Sequence, residues 1–148
     1  MIRKAKINDL EKIVEIEKNS LNSTLGIEFL KSELAENEFS QIFVVEESGV
    51  ICGYLSSRVV DKKAEILNLC IVKKYQQRGL GTKLLNKLKV ISNSIILEVR
   101  ETNYQAINLY YKLGFKEIVK KINYYQNEDG LVLFWEGNDD NFSSRDEL

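Results

Sequence analysis

The chain has 148 residues, of which 44% are hydrophobic and 29% charged, and its net charge is −1. That length fits one domain with a substantial buried core, and the balanced charge excludes a global basic field of the kind that gathers nucleic acid. No histidine is present, and no Cys or Asp/Glu cluster has metal-ligand spacing, so no catalytic metal is expected.

In chain order, Ile2 to Ile7 reads as a short strand. Its basic start leads into no apolar signal core, and no apolar run approaches the length of a membrane span. A cytoplasmic protein with no membrane partner and no direct nucleic-acid partner is the expectation. Asn8 with Glu11 resembles a capping box. Leu10, Ile13, Val14 and Glu17 then follow helical spacing to about Asn19. Ser20 to Gly26 is polar and turn-like, and a second helix carries Ile27, Leu30 and Leu34.

Gln41–Glu46 is β-rich, Ser48-Gly49 signals a hairpin turn, and Val50–Val60 returns as a strand. After Asp61-Lys62-Lys63, Ala64–Val72 forms a third strand, which predicts an antiparallel meander. Cys52 and Cys70 lie in separate apolar runs and read as buried free thiols. A polar loop follows, then Gln76-Gln77-Arg78-Gly79-Leu80-Gly81, then an amphipathic helix with Leu80, Leu84, Leu88 and Ile91 on one face. Ser94–Val99 is a short, nearly all-apolar strand, as expected when both faces are buried. Thr102 or Asn103 caps a helix through Ala106, Ile107, Tyr110 and Leu113, and Gly114 ends it. Phe115–Tyr125 and Leu131–Trp135 are strands around an Asn127-Glu128-Asp129-Gly130 turn. Gly137–Leu148 is polar and acidic and reads as a mobile tail beyond a domain of residues 1–136. Its last four residues, Arg145-Asp146-Glu147-Leu148, look like an ER-retention signal but read as a chance polar terminus. The order β-α-α-β-β-β-α-β-α-β-β gives an α/β fold with one mixed central sheet of about seven strands flanked by four helices.

The glycine loop is the first chemical signal. A glycine-bearing loop that opens a helix after a strand suits phosphate, because the first helical N–H groups lack internal partners and the macrodipole is positive there. The loop is not G-x-x-x-x-G-K-[ST], since Lys83 has no matching upstream glycine. It is not G-x-G-x-x-G either, since position 84 is Leu84. What remains is Q-x-x-G-x-G, built on Gln76, Gly79 and Gly81. It resembles the pyrophosphate loop of the GNAT family of N-acetyltransferases; a plain strand–loop–helix connection with a glycine cap is the other reading of the six residues alone.

Further motifs carry the same resemblance. Leu97-Glu98-Val99-Arg100, Asn103 and Ala106-Ile107-Asn108-Leu109-Tyr110 through Gly114-Phe115 resemble the C-terminal half of that family, as do Ala64–Leu69 and the Tyr124-Tyr125 pair. They are most similar to the bacterial branch that acetylates the N-terminal alanine of a small-subunit ribosomal protein. The resemblance covers about residues 2–136. It implies an enzyme moving an acetyl group from acetyl-CoA to a protein N-terminal α-amine, by direct attack.

By that resemblance Tyr110 is the acid that protonates the departing thiolate, and Glu98 is the base that deprotonates the acceptor ammonium through a water. Glu98 sits in an apolar strand, so burial is expected to raise its pKa toward neutrality, with a salt bridge to a neighbouring Arg or Lys as the structural alternative. Tyr111, adjacent, points elsewhere. Backbone N–H groups of Gln77, Arg78, Gly79, Leu80, Gly81 and Thr82 are expected to hold the pyrophosphate. The strand edge at Leu69, Cys70 and Ile71 is expected to pair with the pantetheine arm and to face the thioester oxygen. Asn103 resembles a cofactor-contacting asparagine as well as a helix cap, and Arg78 and Lys83 meet phosphates or solvent. Tyr124 and Tyr125 resemble a peptide-facing pair. Ser20–Ile27 departs from the family in lacking a Pro-Trp pair, which puts the acceptor in question. A small amine or a lysine side chain is the second acceptor class, and a catalytically silent acetyl-CoA-binding or interaction module is a third reading.

Overall fold

A computed structural model describes residues 1–20 and 24–137. Seven strands form one mixed sheet: β1 Ile2–Lys4, β2 Ser40–Glu47, β3 Val50–Val60, β4 Lys63–Ile71, β5 Ser94–Arg100, β6 Lys116–Tyr125 and β7 Glu128–Glu136. Four helices accompany it: α1 Leu10–Lys18, α2 Ile27–Glu36, α3 Leu80–Val90 and α4 Tyr104–Lys112. The spatial order is β1-β2-β3-β4-β5-β7-β6, with β4 and β5 the one parallel pair. The expected α/β fold with seven strands and four helices is what forms.

Local signals explain most boundaries. Ser48-Gly49 and Asp61-Lys62 each place two consecutive residues at positive φ, the two-residue turns that match strand twist. Asn103 caps α4 by accepting from the Ala106 N–H, and Gly114 at φ 94° ends it as the Phe115 N–H returns to the Tyr110 carbonyl. Three expectations are corrected. β1 stops at Lys4, and Ile7–Asp9 is a 3-10 turn. Asn8 does not cap α1; Asp9 does the local work instead, accepting from the Lys6 N–H at 2.7 Å and from the Arg3 guanidinium. The last turn is tighter than read, since Glu128 already belongs to β7. The expectations for residues 21–23, the tail from 138 and the last four residues lie outside the described residues.

Two apolar layers sandwich the sheet. α3 and α4 bury Leu80, Leu84, Leu85, Leu88 and Ile107 against Phe43, Leu55, Ile95, Leu97 and Leu133. α1 and α2 bury Leu10, Ile13, Ile16 and Leu30 against Ile42, Val44 and Tyr54. Cys52 and Cys70 are free and buried, one in each layer.

The β4 strand carries the feature that makes a site. Its register against β3 slips between Ser56 and Ser57, which face Asn68 and Ile66, so Leu67 is an extra residue. Such a bulge bends a strand and re-aims its side chains. Accordingly Ala64 and Ile66 face the α3/α4 layer, whereas Cys70 faces the α1/α2 layer. The parallel ladder to β5 runs only over Lys63–Glu65 and stops there. Beyond it the sheet opens into a cleft.

Candidate active site

The cleft between the diverging ends of β4 and β5 has a volume of about 100 Å³. Asn68 and Leu69 come from β4, Glu98 and Arg100 from β5, Asn103 and Tyr110 from the α4 segment, Tyr125 from β6 and Leu25 from the segment before α2. Residues far apart in the chain thus meet because β4 bends away from β5.

Tyr110 is 4% exposed and packs its ring against Phe115, with centroids 5.2 Å apart. Burial pushes its hydroxyl pKa well above the ordinary tyrosine value, and nearby Cys70 adds to the shift. Among the described residues no hydrogen bond engages that hydroxyl. Tyr110 therefore holds a proton on the cleft wall at neutral pH. Tyr111 turns outward and is exposed, as expected.

Glu98 corrects the sequence reading. The Ser94–Arg100 strand is buried on one face only: Ile95, Leu97 and Val99 point to the core, while Ile96 and Glu98 point outward. The cause is that α1 and α2 cover the other end of the sheet. The Glu98 side chain keeps 36% of its surface exposed and accepts a hydrogen bond from the Lys121 ammonium, so the salt-bridge alternative is the observed state. Lys121 also lies 4.5 Å from the Tyr124 ring centroid, and Arg100 lies 4.4 Å from that of Tyr125. The two tyrosine rings stack edge-on at 5.0 Å. Tyr125 reaches the cleft; Tyr124 stands beside it and is half-exposed.

Past the C-terminal end of β4, Gln77 at φ 63° and Gly79 at φ 80° place two left-handed residues in exposed backbone just before α3. Alternation of this kind turns successive N–H groups to one side and makes an anion-binding concavity. Gly79 is the N-cap of α3, with no side chain capping the helix. The Gln76 amide does not reach outward: it donates to the Ile71 carbonyl at 2.9 Å and ties the loop to β4. Arg78 lies over the Tyr75 ring and near Glu47. Leu80 and Gly81 are buried, and a Cβ on Gly81 would meet Leu109 at 2.9 Å, so α3 and α4 come close there. Leu69 and Ile71 turn their side chains to the α3/α4 layer, and Cys70 to the other; of the three only Leu69 lines the cleft, its N–H donating to Asn68 Oδ1 at 3.1 Å.

A buried polar cluster at the cleft floor was missed. Glu17 is fully buried on α1, and its carboxylate accepts from the Tyr54 hydroxyl, from Asn68 Nδ2 at 3.1 Å, and from the Leu25 and Gly26 N–H groups at 3.0 and 3.1 Å. Asn68 Nδ2 also lies 2.8 Å from the Tyr54 hydroxyl. Burial, with Cys70 and Glu17 nearby, pushes the Tyr54 pKa upward. Its signal in the sequence was a carboxylate on the apolar stripe of a helix.

A profile of the acetyltransferase (GNAT) family matches residues 9–115. The chain belongs to this family. An N-alpha-acetyltransferase of Sulfurisphaera tokodaii is 31% identical over 150 residues, covering 89% of each chain. The crystal structure of the ribosomal-protein-alanine N-acetyltransferase of Escherichia coli superposes with a TM-score of 0.82 at 27% identity, covering 92% of each chain. The structure of yncA from Salmonella typhimurium with its cofactor acetyl-CoA matches with a TM-score of 0.74 at 21% identity, covering 93% of this chain and 94% of that one.

GNAT proteins use acetyl-CoA, and the residues present fit it. The concavity at Gln77–Gly79 and the start of α3 suit a pyrophosphate. The edge of β4 beyond the last rung to β5 suits an amide-bearing arm. Among the described residues no group of three or more Cys, Asp or Glu is placed to hold a metal ion, and no helix is long and apolar enough to cross a membrane.

Proposed function

We propose that this GNAT protein acetylates the N-terminal α-amine of a protein, with the N-terminal alanine of a small-subunit ribosomal protein as acceptor. The observation that carries this reading is the meeting of Glu98 and Tyr110 on one cleft, beside a loop suited to pyrophosphate. The relatives named for N-alpha- and ribosomal-protein-alanine acetylation support the acceptor. The catalytic domain spans residues 1–136, and its setting is the cytoplasm.

Bound acetyl-CoA supplies the acetyl group as a thioester. Gln77–Thr82 hold its pyrophosphate, the β4 backbone at Leu69–Ile71 pairs with the pantetheine arm, and Asn103 contacts the arm while capping α4. Glu98 takes the proton from the acceptor ammonium through a water, so that the neutral amine attacks directly. Tyr110 donates its proton to the departing thiolate; its burial keeps that proton in place until it is needed. Tyr124 and Tyr125 flank the acceptor backbone.

The acceptor class follows from proton affinity. An α-amine has a pKa of about 7.7–8.0 against about 10.4 for lysine, so its neutral fraction at pH 7 is larger by roughly two orders of magnitude. One exposed carboxylate is adequate help for the first. One observation favours a second reading: the Lys121 ammonium already rests on Glu98, so the seat accepts a lysine-like or small primary amine. Thiol release with an alanine-terminated peptide, a blocked lysine peptide and a polyamine separates the readings. The proposal expects the highest kcat/KM with the first. A higher value with the polyamine or the lysine peptide would reassign the acceptor, and cofactor binding without turnover on any of them would make the protein a silent module.

A further inference from the structure

We propose that Glu17 is a positioning residue that fixes the acceptor side of the cleft by pinning the segment before α2. The inference rests on the acetyltransfer reading of that cleft. Glu17 has no surface, and among the described residues no cation pairs with it. A carboxylate so placed must be held by donors, and the four it has among the described residues fall into two groups. Tyr54 on β3 and Asn68 on β4 belong to the sheet. The Leu25 and Gly26 N–H groups belong to the incoming segment. The carboxylate is therefore the joint between the two.

The geometry around the joint makes it specific. Asn68 and Leu25 both line the cleft, so Glu17 holds one residue of its floor and one of its wall in a fixed relation without entering it. Gly26 takes φ 87° and ψ 160°, a conformation that L side chains rarely adopt, and its carbonyl accepts the Leu30 N–H that starts α2. Leu25 is thus fixed from both sides. The candidate catalytic groups lie elsewhere in the chain, on β5 and α4, and the pyrophosphate loop follows β4. Loosening the Leu25–Gly26 side of the joint is expected to disturb acceptor binding while sparing the cofactor, whereas the Asn68 side adjoins Leu69, whose N–H Asn68 holds.

Two variants approach the joint from opposite sides. Glu17→Gln replaces one accepting oxygen by a donor that must face a donor already there. Gly26→Ala leaves the carboxylate intact and strains only the segment, since a Cβ there meets nothing within 4 Å. Both are assayed for thermal midpoint, acetyl-CoA Kd and steady-state kinetics on whichever acceptor the wild type turns over. The expected result is a KM for the acceptor raised about tenfold or more in both, with kcat and acetyl-CoA Kd within about twofold in Gly26→Ala. Gly26→Ala decides if Glu17→Gln fails to fold. An unchanged KM in a folded variant, or in Gly26→Ala a loss of cofactor affinity in step with KM, overturns the proposal. Wild-type turnover of a polyamine alone would remove the protein-acceptor reading while the same ratios still judge Glu17; no wild-type turnover on any acceptor would sink both.

Discussion

The Lys121 ammonium on β6 donates to the Glu98 carboxylate on β5 across the intervening strand β7. The reach is diagonal: across β7, Glu98 is paired with Val132 and Lys121 with Gly130, two residues along the strand. Glu98 raises the Lys121 pKa through this hydrogen bond, so the lysine stays charged at neutral pH. The base proposed for acetyl transfer is therefore occupied by an internal ammonium, with which the acceptor and the water that relays its proton compete. Lys121→Met is expected to lower the acceptor KM about two- to fivefold, the modest size reflecting an exposed pair. Raising the salt concentration should narrow the gap between variant and wild type. A higher KM in the variant would instead make Lys121 part of the acceptor seat.

If Glu98 removes the acceptor's proton, its importance depends on how much amine is already neutral. Glu98→Gln is expected to lower kcat/KM on the order of 10²-fold at pH 7. Above about pH 9 most of an α-amine is neutral without help, and the deficit should shrink. Rate profiles of both proteins from pH 6 to about 10 check this. A deficit constant with pH would point to binding rather than proton removal.

Tyr110→Phe removes a buried hydroxyl and its proton from the cleft wall, and leaves the ring packing on Phe115. Turnover is expected to fall on the order of 10²-fold with acetyl-CoA affinity nearly unchanged. Because burial raises the Tyr110 pKa, the acid form persists beyond the usual value of about 10. Any alkaline loss of activity below that pH belongs to another group. An unchanged kcat would end the acid assignment.

Gly53 shows how closely β3 approaches the end of β4. A Cβ there would lie 2.6 Å from Ile71 Cδ1 and 2.7 Å from the Cys70 carbonyl oxygen. Gly53→Ala must push on backbone, so a loss of about 1–3 kcal/mol is expected in urea unfolding, with weaker acetyl-CoA binding. Gly81→Ala meets the end of the Leu109 side chain, which can move, and should cost less. Equal stability of Gly53→Ala and wild type would contradict the account of this strand end.

The elements were legible because their signals are local. β-rich runs marked the meander, Ser48-Gly49 its first turn, and Asn103 and Gly114 the limits of α4. The cleft was legible only as a set of motifs. The bulge at Leu67 falls where Ile66 and Leu67 stand side by side in Glu65-Ile66-Leu67-Asn68, a pair that reads equally as part of an apolar strand, yet it opens the sheet. Glu98 was misread as buried because an apolar strand does not say which of its faces a helix will cover. The placement of β7 between β5 and β6, which brings Lys121 to Glu98, is likewise a property of the assembled sheet. Glu17 meets partners 37 and 51 residues away, and Tyr54 offered no sign of being one. Asn8 looked like a cap, but Asp9, held by Arg3, took the local backbone donor instead.

The most direct measurement uses one peptide that carries a free N-terminal alanine and an internal lysine. After incubation with acetyl-CoA, fragment masses locate the acetyl group. The account predicts one acetyl group, on the terminal α-amine, with the lysine unmodified. An acetyl group on the lysine with a free terminus would contradict it and move this protein to the side-chain acetylating members of its family.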